Sequence, residues 1–185
     1  MAVDPGRHQL GPELGSLLLR TSREGFGSSA GHDLVIEVTR WSGELTVGDE
    51  RTADGLEVRA DLHSLVVREG SGGVKPLSDR DRREIAVTAR KVLGADRNPE
   101  ATYTASGIKP DGQDSWLIDG TLTVGGRSGP VQLKVSGTGP DRYQARGSVV
   151  QSRFGIKPYS AFMGALKVRD AVDVEATLTL GGAPR

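Results

Sequence analysis

The sequence predicts an all-β, mainly antiparallel fold, a barrel or a sandwich, that carries a single α-helix. Three observations set that class. Apolar residues recur with period two in segment after segment, and glycine- or proline-containing turn signals separate those segments at short intervals. One stretch alone switches to helical spacing, between residues that suit helix ends.

The strands come first. In "LEVRADLHS", Leu56, Val58, Ala60 and Leu62 share one face while Glu57, Arg59, Asp61 and His63 share the other. "AVDVEATLTL" sets Val172, Val174, Ala176, Leu178 and Leu180 against Asp173, Glu175, Thr177 and Thr179. "VQLKV" from Val131 to Val135 alternates in the same way, as do Trp116, Ile118, Leu122 and Val124 against Asp119, Thr121 and Thr123. One dry and one wet face is the habit of antiparallel sheets. Weaker alternation predicts strands over Leu14–Arg20, Leu34–Arg40, Glu44–Val47, Ala101–Ser106 and Arg142–Gln151. Turns are expected at Gly48-Asp49, Asp54-Gly55, Asp111-Gly112, Gly125-Gly126, Gly129-Pro130 and Gly139-Pro140.

The helix is expected over about 78–94. Ser78 stands as N-cap with Asp81 three residues on, a capping-box arrangement. Ile85, Ala89 and Val92 or Leu93 form an apolar stripe, and Gly94 suits the residue after the C-cap. Asp79 and Asp81 complement the positive end of the dipole, Arg90 and Lys91 the negative end. Before it, "REGSGGVKPLSD" has neither phosphate-loop spacing, so it reads as a flexible crossover.

At 185 residues the chain suits one domain, 1–185, large enough to bury a real core. Lys plus Arg and Asp plus Glu are both 24, so the formal charge is zero and gives no reason to expect nucleic acid or an anionic membrane face. The absence of cysteine excludes disulfides and thiolate chemistry. The longest apolar run of the N-terminus, Leu17-Leu18-Leu19, is far shorter than a signal or a membrane span requires, so the chain reads as cytoplasmic. His8, His32 and His63 lack zinc spacing, and no nucleophile elbow occurs, so neither a metal site nor catalysis is expected.

Several segments together resemble the YceI-like family, lipocalin-like proteins associated with polyisoprenoids and other long-chain lipids. Asp61–Leu65 resembles the strand before that family's crossover helix, and Asp79-Arg80-Asp81 its helix start. Asn98-Pro99 with the strand after it, Gly120–Gly126, Arg153–Ile156 and Val168–Val174 resemble four further motifs, in order. The resemblance is best from about Leu56 to Leu180; the N-terminal part and the segment "IKPYSAFMGAL" depart from the family pattern. It implies an eight-stranded, lipocalin-like antiparallel barrel that binds a long apolar ligand such as a polyisoprenoid, an isoprenoid quinone or a fatty-acyl lipid. It implies no cofactor and no chemistry. A protein-interaction module with a filled barrel, docking through the 153–166 loop, is the alternative, and self-association as a homodimer is left open.

An eight-stranded barrel is either just filled by its side chains or holds one small ligand. The inward positions expected here include Ala60, Ser64, Gly120, Ala145, Gly147 and Ala176, which favours a hollow barrel. The candidate ligand contacts within it are Trp41, Leu62, Trp116 and Ile118, with core packing the stronger reading for Trp116. The remaining candidates lie in "QSRFGIKPYSAFMGAL", which gathers three of the chain's eight aromatics. There Phe154 and Ile156 read as a packed turn. Tyr159, Phe162 and Met163, after the stiff Lys157-Pro158 joint, read as a lid over the mouth. Phe26, in a Gly/Ser-rich connection, is expected as a small core plug.

Overall fold

A computed structural model describes residues 3–50 and 52–180. The strands are β1 (Gly6–Leu10), β2 (Gly15–Thr21), β3 (Arg23–Glu24), β4 (His32–Val38), β5 (Trp41–Val47), β6 (Ala53–Asp61) and β7 (Leu65–Gly72). After helix α1 (Asp79–Val92) come β8 (Glu100–Pro110), β9 (Ser115–Val124), β10 (Arg127–Gly139), β11 (Arg142–Val150), β12 (Ser160–Ala161), β13 (Leu166–Val168) and β14 (Ala171–Thr179). All pairings are antiparallel.

The pairings close a circle of eight long strands. β4 and β5 are two halves of one bent strand, because β7 pairs with the first half and β6 with the second. β6 and β7 are likewise halves of the next strand. β1 and β2 make a third broken strand, since they lie against β5 and β4. From β6 the circuit runs through β8, β9, β10, β11 and β14, and β14 returns to β2. The expected eight-stranded barrel is present, with three of its strands snapped at bends. The circuit leaves one stretch of strand edge, along β7, which pairs with β4 alone.

The bends meet at one corner. A sharp bend interrupts the ladder and leaves backbone groups that need other partners. Ser64, buried among apolar neighbours, supplies them: its hydroxyl donates to the Asp61 carbonyl at 2.7 Å and accepts from the Arg40 amide at 3.0 Å. The Thr39 amide and hydroxyl both donate to the Ser64 carbonyl, and the Asp61 amide to the Arg40 carbonyl. Outside the corner the Arg40 guanidinium grips one Asp61 oxygen at 2.9 and 2.7 Å, while the other accepts from the His63 amide at 2.7 Å. Partial burial pushes the Asp61 carboxyl up, but the bonds from Arg40 and His63 outweigh it and hold the group below its ordinary value. "LEVRADLHS" is therefore not one strand: it ends at Asp61, and Leu62–Ser64 form a single 3-10 turn.

Beyond the corner β7 separates from β8, and α1 covers the gap. Ser78 and Asp81 form the expected reciprocal cap, and Gly94 takes positive φ after the last turn. Arg90 donates to the Leu65 carbonyl at 3.1 Å and Arg82 to the Arg68 carbonyl, so two helix arginines serve the edge of β7. Two turn expectations fail. Asp54-Gly55 lies inside β6 and Gly129-Pro130 inside β10, where the Phe154 ring occupies the space a Cβ at Gly129 would need. Gly125-Gly126, with positive φ at both positions, is the two-residue hairpin turn expected. No helix among the described residues is long and apolar enough to cross a membrane.

If the buried hydroxyl holds the corner, Ser64→Ala should cost about 1–3 kcal/mol, because the Arg40 amide loses its acceptor in a dry site. Breaking the exposed ion pair with Arg40→Ala should cost less than about 1 kcal/mol. Urea denaturation of the two variants reads the order directly.

Candidate functional site

The strand faces that alternate inward do not meet at the barrel axis. They enclose a cavity of about 610 Å³, within the roughly 300–1,000 Å³ usual for small-molecule sites. Its width comes from alanines. Ala60 pairs with Ala101 across β6 and β8, and Ala145 with Ala176 across β11 and β14. All four line the cavity. In a ring of eight strands these two pairs stand on opposite walls, so side chains that could bridge the barrel are missing where they would meet. Of the other small inward residues, Gly120 and Gly147 make no void. The Tyr103 ring lies over Gly120 and the Leu133 side chain over Gly147, at 2.4 and 2.5 Å from where a Cβ would stand.

One end is plugged. Trp116 and Tyr143 meet there with ring centroids 6.2 Å apart, packed with Leu10, Val47 and Leu178. The other end carries a separate three-stranded rim sheet in the order β12-β13-β3, and Tyr159 and Lys167 of that rim reach the cavity. Between the ends, α1 supplies part of the wall through Ile85, Ala89 and Val92.

The lining includes the charged or titratable residues Arg23, His32, Asp81, Glu84 and Lys167 and a smaller set of neutral polar groups. Tyr103 donates to the carbonyls of Ile118 and Val131 at 3.1 and 3.2 Å. Burial, and then the Asp119 carboxylate, push its phenol up to about 12, so it stays a donor near neutral pH. Gln151 donates from Nε2 to the Arg169 carbonyl at 3.0 Å. The Thr21 hydroxyl is buried and lacks a hydrogen-bond partner in the structure. Thr21 and Gln151 escaped the sequence reading, although Gln151 continues the inward parity of Ala145 and Val149 along β11. Period-two counting carried two residues further marks it.

The nine candidate contacts separate into three groups. Trp41, Leu62, Ile156 and Tyr159 line the cavity. Trp116, Ile118 and Phe154 lie in the packed core outside the lining. Phe162 and Met163 are exposed on the rim and do not line the cavity. Phe26, expected as a plug, is also exposed: Gly25 and Gly27 press against Ala165, and the ring between them turns outward. His63 sits on the corner, while His32 donates from Nε2 to the Lys75 carbonyl at 2.8 Å. Among the described residues no three His, Asp or Glu stand together as metal ligands.

With that geometry in hand, a family model described as YceI-like domain matches residues 18–180. The chain belongs to the YceI-like family. The match begins well before Leu56 and takes in the end of β2 and all of β4, while β1 lies outside it. Among solved structures, Burkholderia cenocepacia BcnA superposes with a TM-score of 0.61 at 16% identity, over 88% of this chain and 94% of that one. A polyisoprenoid binding domain from Saccharophagus degradans, implicated in plant cell wall breakdown, gives 0.54 at 13% identity, over 98% and 100%. Campylobacter jejuni YCEI protein gives 0.51 at 15%, over 65% and 70%. At such identities the likeness extends to the fold. A comparison with curated proteins finds no match.

A bulky side chain discriminates this hollow YceI-like barrel from a filled one. Ala145→Phe projects into open cavity, so it should shift stability by less than about 1 kcal/mol, where overpacking a filled core costs about 1–3. Thermal melts and binding of a fluorescent acyl probe, expected to weaken by about tenfold or more as the void fills, provide the check.

Proposed function

We propose that this YceI-like protein binds one long-chain apolar ligand inside its barrel, as a carrier or buffer, and performs no chemistry on it. The cavity carries that reading: it is enclosed by eight strands and a helix, lined mainly by aliphatic side chains with a minority of polar and charged ones, and open under the rim. A polyisoprenoid, an isoprenoid quinone or a fatty-acyl chain fits such a lining. The polyisoprenoid binding domain among its structural neighbours supports the same class. Each methylene moved from water into the lining gains about 0.8 kcal/mol, so a tail of about ten gains about 8, against association costs that begin near 4.

The polar groups support one orientation of the ligand. The Thr21 hydroxyl and the fixed Gln151 amide lie toward the rim, where a hydroxyl or carbonyl head would find partners, while the tail extends toward Trp41. Leu62 and Ile156 would contact the chain and Tyr159 would stand at the mouth. Trp116, Ile118 and Phe154 would support the wall from behind.

Native mass spectrometry of the protein purified from its own host, with organic extraction of what it releases, tests the reading. A bound species of lipid mass, lost on extraction, is the expected result. A protein that is empty and also takes up neither isoprenoid nor fatty-acyl probes would refute it.

A further inference from the structure

We propose that the rim around the cavity mouth is a docking surface for an anionic lipid bilayer, with Phe26, Phe162 and Met163 as its inserting side chains. The proposal rests on the lipid-holding reading for its purpose but not for its chemistry.

The three side chains are 94%, 73% and 107% exposed, and they project from one structural unit. The Gly27 amide donates to the Ala165 carbonyl at 2.8 Å, and Cβ atoms built at Gly25 and Gly27 would lie 2.3 and 3.2 Å from that same oxygen. The connection that carries Phe26 is thus pressed onto the chain two residues beyond Met163. Phe162 and Met163 also occupy the left-handed region, with φ of 51° and 54°. Bulky residues rarely adopt it, and burial of their own side chains does not compensate them here. Isolated exposed hydrophobes need no explanation, but two aromatics and a methionine grouped at the mouth of an apolar cavity do.

Charge identifies the occupant. From residue 151 to residue 169 the chain carries Arg153, Lys157, Lys167 and Arg169, all exposed, and no carboxylate. Of the acids that border the segment, Asp170 accepts from the Ser152 amide at 2.8 Å and from its hydroxyl, while Glu24 is exposed and stands opposite Lys167 in the rim sheet. In a molecule of zero formal charge this segment therefore holds a local excess of cations, on the stretch that carries Phe162 and Met163. Apolar tips among cations match an anionic bilayer, where rings reach the acyl boundary and each Lys or Arg meets the headgroup field. A ligand too apolar to cross water would then pass between membrane and cavity without leaving lipid.

Co-sedimentation with phosphatidylcholine vesicles, with and without phosphatidylglycerol, tests the surface. The full chain should partition onto the mixed vesicles and be released in about 1 M salt, where the Debye length is about 3 Å. Phe162→Ser combined with Met163→Ser should weaken partition by about tenfold or more, and Lys157→Glu should weaken it on mixed vesicles alone. These variants should still take up an isoprenoid probe injected in ethanol, which shows that they fold. Equal partition of the double variant, or no partition of the natural chain, overturns the proposal whether or not the barrel holds a lipid. So does dimerisation of the vesicle-free chain that the double variant abolishes, which would make the rim a self-interface. Vesicle binding without probe uptake would instead uphold the docking surface and refute the lipid-holding reading.

Discussion

The barrel depends on the pairing of backbone groups where three of its strands bend. A sheet of eight strands can close around a ligand-sized space only if it curves strongly, and here much of that curvature is concentrated at one corner. The bend between β4 and β5, matched by the turn between β6 and β7, removes ladder hydrogen bonds that a dry interior must replace. Ser64 replaces them from inside and the Arg40–Asp61 pair frames them from outside. The corner also places Trp41, Leu62 and Leu65 against the cavity and sends β7 away from β8, which opens the gap that α1 fills. Corner, helix and hollow are consequences of one another.

The legible parts of the sequence were those where one face meets the interior and the other meets water. Strands β6, β9, β10 and β14 show clean alternation because every second side chain lies in the barrel. The helix was legible for a separate reason, since its cap and C-terminal glycine are local chemistry. The expected crossover loop from Arg68 onward takes in the second half of β7, because Glu69–Gly72 are polar or glycine and line an edge rather than the core. β1 was missed because only Leu10 of its five residues is buried.

The candidate site was half legible. Membership of an apolar face is a period-two property, so Leu62 and the alanine positions followed from counting. Depth along the strand is not. Trp116 and Ile118 share the inward parity of Leu122 and Val124, yet they fall at the plugged end while the latter line the cavity. Nor does parity reach the 151–166 segment, whose 3-10 turns and left-handed residues give each side chain its own direction. Phe154 turns into the core against Gly129 while Phe162 turns into water. A chain poor in aromatics thus divides them by role: some plug the floor, Trp41 and Tyr159 touch the cavity, and Phe26 and Phe162 face outward around its mouth.

The two tryptophans offer the most direct test of a ligand in the barrel. Trp41 lines the cavity, whereas Trp116 lies beyond its floor against Tyr143. A brominated long-chain alcohol, which quenches indole fluorescence by contact, should quench the Trp116→Phe variant, where only Trp41 emits. It should leave the Trp41→Phe variant bright. Equal quenching of both, or quenching through Trp116 alone, would contradict an interior site.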